Sequence, residues 1–204
     1  MPAGTRLALI GATAYLALAA TLSSWPGHWG VTRILPAAFT AAGVTLHRVA
    51  EADGTTCTSL ATDTAEGPQT PRIQTLLSQR GCRQALRAAF IRDGDTIIVT
   101  LAALRLDSPE KALSVAGQLR DLNPQVRGLV LDHRRLPPGD THAVMEESTT
   151  GTAVTLIPQA VGEWIVLTTA ANGTPASATT TTDLYQAARD VTSYFTNTIT
   201  HQTA

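Results

Sequence analysis

The stretch whose reading decides the fold is residues 84–104, QALRAAFIRDGDTIIVTLAAL. Side chains alternate along a strand, so its first nine residues place Leu86, Ala88 and Phe90 on one side. Arg87 and Arg92 interrupt that apolar pattern. Asp93-Gly94-Asp95 supplies a tight turn, where glycine adopts the positive φ that short hairpins need. The last nine residues, TIIVTLAAL, are apolar on both sides, as befits a strand in the middle of a sheet. The stretch therefore predicts a β-hairpin whose second strand is central.

Helices are predicted on either side of this hairpin. Thr70-Pro71 opens one: threonine can cap the free amides, and proline at the first helical position sacrifices no hydrogen bond. Ile73, Leu76 and Leu77 give it an apolar face and Gly81 a stop. Ser108-Pro109-Glu110 repeats the opening, and Ala112, Leu113, Val115, Ala116, Leu119 and Leu122 carry the helical period up to Asn123-Pro124. Further strands are predicted over 126–132, 142–148, 152–157 and 163–170, with a short connector over 158–162. A last helix is expected from Asp183, with Gln186 completing a capping box. Its stripe is Leu184, Ala188, Val191, Phe195 and Ile199. Upstream, 31–42 reads as a short helix broken by Pro36, 44–49 as a strand, and Glu51-Ala52-Asp53-Gly54 as a turn. The order predicts an α+β fold, a mainly antiparallel sheet with helices on one face, preceded by an N-terminal hydrophobic helix.

Composition narrows the functional classes. The chain has 204 residues, 44% hydrophobic and 15% charged, with a formal net charge of -1. That apolar fraction excludes disorder throughout, and the balanced charge excludes a nucleic-acid binder driven by phosphate neutralisation. Charge is unevenly distributed. No acidic residue precedes Glu51, and Arg6, Arg33 and Arg48 are the only basic ones before it. Residues 7–22, LALIGATAYLALAATL, carry no charge and are followed by Trp25 and Trp29. A basic flank, an apolar run and small residues have the form of a secretory signal, with Ala17-x-Ala19 as a cleavage site. Residues 7–25 also approach the ~20 residues needed to span a bilayer, with the tryptophans at the outer interface and Arg6 inside. Both readings, cleaved signal and retained anchor, lead out of the cytoplasm; a buried core helix at the start of the domain is the remaining alternative. The chain divides accordingly into a signal or signal-anchor (1–25), a juxtamembrane segment (26–56) and an extracytoplasmic domain (57–200).

Cys57 and Cys82 fit that compartment, because a disulfide persists where the surroundings are oxidising. Two unpaired buried thiols are the alternative. Two sulfurs with no neighbouring histidine or second cysteine pair do not make a zinc site, so no metal and no cofactor is expected.

Catalytic signatures are sparse. Asp132-His133, next to Arg134-Arg135, is the densest polar cluster and offers an acid–base pair or an anion contact. A solvated strand end running into a proline-rich loop explains it as well. Glu146 and Glu147 are adjacent, so on a strand they point to opposite faces. Asp93-Gly94-Asp95 lacks the downstream glutamate of a calcium loop. Nucleophile-elbow, P-loop, HExxH and dinucleotide-binding patterns are absent from the sequence. Asn172-Gly173-Thr174 has the form of an N-glycosylation tripeptide.

Arginine is used almost to the exclusion of lysine, Lys111 being the sole one, and alanine and threonine are abundant. The segment Leu76-Leu77-Ser78-Gln79-Arg80-Gly81-Cys82-Arg83-Gln84-Ala85-Leu86-Arg87-Ala88-Ala89-Phe90, then Asp93-Gly94, an apolar strand and Glu163-Trp164-Ile165-Val166-Leu167-Thr168-Thr169-Ala170, resembles actinobacterial exported or single-pass membrane proteins of unknown function. More distantly, it is similar to extracytoplasmic sensor domains of receptor kinases. The resemblance covers about residues 55–200. It implies location and fold, and carries no catalytic residue or kinase signalling with it. The expected function is a membrane-tethered domain that binds an envelope partner or a small ligand. An envelope enzyme using Asp132, His133 and Glu146, or an accessory subunit of a membrane assembly, are the alternatives.

Overall fold

The computed structural model describes residues 30, 34–54, 57, 70–92, 97–121, 153–172 and 180–203. Its centre is the predicted hairpin, β3 (Cys82–Arg92) and β4 (Ile97–Leu106), paired antiparallel from Cys82↔Leu106 to Ile91↔Ile98. The expected turn at Asp93-Gly94-Asp95 lies outside the described residues. On one side, β3 pairs with β2 (Val44–Gly54) and β2 with β1 (Ala38–Ala41). On the other, β4 pairs with β7 (Trp164–Asn172), which is flanked by the short strands β5 (Ala153–Thr155) and β6 (Gln159–Val161). The result is a seven-stranded antiparallel sheet in the order β1-β2-β3-β4-β7-β5, with β6 also on β7.

Of the expected helix over 31–42, Ile34 is helical, residues 31–33 lie outside the described residues, and from residue 38 the chain runs as β1 into a two-residue turn, so the segment assigned as juxtamembrane contributes two strands of the sheet. Pro36 removes a helical hydrogen bond, and the run Val44, Thr45, Leu46 favours extended backbone. Ala42 and Gly43 both have positive φ, 51° and 80°, the conformation that a two-residue hairpin matched to strand twist demands. Residues 51–54, expected as a turn, complete β2 opposite Ala85 to Ala88 after a bulge between Arg48 and Ala50. Likewise, the connector expected over 158–162 contains β6.

Among the described residues, three helices pack on the sheet: α1 (Thr70–Gln79), α2 (Pro109–Asp121) and α3 (Thr181–Thr203). The expectation that helices cover one face needs correction, because both faces are covered. On the first face, Leu184, Ala187, Ala188, Val191, Phe195 and Ile199 of α3 meet Leu86, Phe90, Val99, Leu101, Trp164 and Val166. On the second, Leu77 of α1 and Ala112, Val115, Ala116 and Leu119 of α2 meet Ala85, Ala102, Leu104, Leu106, Ile165 and Leu167. Strand periodicity accounts for the division, since residues of opposite parity on β3, β4 and β7 serve opposite cores.

Aromatic rings anchor the first core. Phe195 meets Trp164 edge-on at 6.0 Å, and Phe39 lies between Phe90 at 5.4 Å and Tyr194 at 4.1 Å. The α3 cap sits earlier than expected. Thr180 Oγ1 accepts from the Asp183 amide at 3.2 Å, while the Asp183 carboxylate accepts from the Thr180 amide at 2.9 Å. The capping box is thus Thr180 with Asp183, not Asp183 with Gln186. No helix among the described residues is long and apolar enough to cross a membrane; residues 1–29, where the hydrophobic helix is expected, lie outside them.

Candidate functional site

The feature that breaks the apolar rule is on the second face of the sheet. In the register, Arg87 lies between Ala52 and Ala102. One step along, Ala89, Thr100, Thr169 and Thr155 form the neighbouring cross-strand row. Arg87 is 3% exposed, Thr100 2% and Thr169 1%. Thr155 and Thr169 share a hydroxyl hydrogen bond of 3.2 Å. Burying a charge and two hydroxyls is tolerated only where they are partnered, and Arg87 is indeed engaged. The row places hydroxyl donors and acceptors inside the fold. Sequence reasoning missed it, treating Arg87 as an interruption of the strand. The available signal was its parity, which aligns Arg87 with Ala85 and Ala89 on the second face.

A second polar group closes the end of the sheet where Cys82 and Leu106 pair. Asp107 pairs with Arg83 and with Lys111, the latter at 2.7 Å. Hydrogen bonds from Lys111 and then Arg83 hold its carboxyl below the usual carboxylate range. Nearby, Arg105 Nε donates to Glu163 at 2.6 Å, and the guanidinium lies 5.9 Å from the Trp164 ring centre. These are pairs between opposite charges, each neutralising the other.

Cys57 and Cys82 are joined in a disulfide, with their Cα atoms 5.7 Å apart. The bridge ties the chain just beyond β2 to the first residue of β3, enclosing α1. Asp132, His133 and Glu146 lie outside the described residues, as do the strands expected over 126–132 and 142–148. Among the described residues, no three His, Cys, Asp or Glu side chains gather as a metal site would require. Asn172 ends β7 with its side-chain oxygen buried, an unfavourable setting for glycan attachment. Comparison of the chain with protein-family models, with curated proteins and with solved structures returns no match.

Proposed function

We propose that this protein is a single-pass membrane protein whose α+β domain lies outside the cytoplasm and acts by binding an envelope partner or a small ligand. The uncharged run 7–22, with Arg6 before it and Trp25 after it, serves as a hydrophobic helical anchor. Cleavage of the same run would release the domain into the medium. The resemblance to actinobacterial exported proteins supports the same location. The observation that carries the proposal is the Cys57–Cys82 bridge, because structural disulfides persist chiefly in oxidising compartments. Binding is favoured over turnover because the sequence carries no nucleophile-elbow, P-loop, HExxH or dinucleotide-binding pattern.

Cross-linking the intact membrane form in its own envelope and recovering it with its neighbours tests the binding role. One recurrent envelope protein or bound small molecule is the expected result. Hydrolytic or transfer activity that disappears in His133→Ala would replace this proposal with the envelope enzyme.

A further inference from the structure

We infer that the domain is held close to the bilayer with its β1–β2 edge nearest the lipid, with no long stalk between membrane and fold; this rests on the membrane-anchored reading above. The folded core begins unexpectedly early. Ile34 and Leu35 are 0% exposed and belong to the first-face core beneath α3. Arg48 locks them in place. Its guanidinium donates to the Leu35 carbonyl, its amide donates to the Ala37 carbonyl at 2.7 Å, and it pairs with Glu51 at 2.8 Å. Ile34 and Leu35 are therefore already part of the packed fold.

Trp25, the outer end of the apolar run, lies nine residues before Ile34. Fully extended, that length reaches about 30 Å, and as a flexible coil roughly 16 Å. The domain is larger than the typical reach: β2, with eleven residues, extends about 35 Å, and five interstrand spacings from β1 to β5 measure about 24 Å. A tether whose typical reach is shorter than the width of the body it holds restricts that body's rotation. The edge from which it leaves, beside β1 and the latched Arg48, stays nearest the membrane. The opposite edge, carrying β5, β6 and the exposed Ile157, points away.

The test places a donor fluorophore on Thr40→Cys or on Ile157→Cys. Both positions are exposed, and the native cysteines are consumed in their bridge. Full-length protein is reconstituted into phosphatidylcholine vesicles carrying a headgroup-linked acceptor, and vesicle flotation is measured alongside. Given the ~24 Å between the edges, the donor at 40 should be quenched more than the donor at 157. A Gly/Ser insert of about 20 residues between 29 and 30 raises the coil reach from roughly 16 Å to roughly 30 Å, beyond the ~24 Å between the edges, and should erase the difference. Equal quenching in protein that floats with the vesicles overturns the orientation and leaves the anchor intact. Protein that fails to float overturns the anchored reading itself.

Discussion

Two residues with positive φ bear opposite consequences. Gly81 terminates α1 at φ 72°, and a Cβ there would run into the Asp107 carboxylate. Gly81→Ala therefore incurs the left-handed penalty of about 1–2 kcal/mol, as well as displacing the Asp107 pairs. Urea denaturation should show at least that loss. Ala42 already occupies the left-handed region in the β1–β2 turn, so Ala42→Gly relieves strain and should raise stability by up to about 1 kcal/mol in the same measurement. Within the core, Thr168 and Thr192 share a hydroxyl hydrogen bond of 2.7 Å, and the Thr192 hydroxyl donates to the Ala188 carbonyl at 2.8 Å. Thr192→Val strands the Thr168 hydroxyl and should cost about 1–3 kcal/mol. Adding Thr168→Val should recover most of the loss, because two valines leave neither hydroxyl unsatisfied. A double-mutant cycle reads the coupling directly.

Among the elements, the two long helices start on carboxylates whose ionised forms the fold favours. Hydrogen bonds from Thr180 hold Asp183 below the usual carboxylate range at the start of α3, and Lys111 followed by Arg83 does the same for Asp107 just before α2. A lowered carboxyl pKa adds stability at neutral pH and loses it as pH falls through and below that range. The thermal midpoint should therefore fall in acid, and Asp107→Asn should flatten the decline. Thr180→Ala should cost about 1 kcal/mol by removing the α3 cap, detected as a lower urea midpoint.

The sequence made the β3–β4 hairpin, the starts of α1 and α2 and the apolar stripe of α3 legible, because each depends on local periodicity or a cap. It was less informative about which face each helix covers. TIIVTLAAL being apolar on both sides already required cover on both, yet helix order alone suggested one. β1 and β6, with four and three residues, are too short for a periodic signal and exist only through their partners β2 and β7. The Arg87 row was hidden for a related reason. Thr100, Thr155 and Thr169 are far apart in sequence, and cross-strand register alone brings them together.

At the scale of the whole molecule, the disulfide and the sheet close the same loop. Gly54 pairs with Ala85, so residues 57–82 are already enclosed whenever β2 and β3 are paired. The bridge thus acts mainly against the fully unfolded chain. For a separation of 25 residues its chain-entropy contribution is roughly 3 kcal/mol. Replacing both cysteines by serine should lower global stability by about that amount, with amide protection falling together across β3, β4 and β7. Loss confined to α1 would assign the bridge a local role instead.

The central claim is one of place: an anchored domain that folds and binds outside the cytoplasm. Fusing a reporter enzyme that is active only outside the cytoplasm after Ala204 tests it most directly. The account predicts a membrane-bound, active fusion, or active fusion in the medium if residues 7–22 are cleaved as a signal. A fusion that is expressed and folded but silent, retained inside the cell, would contradict it.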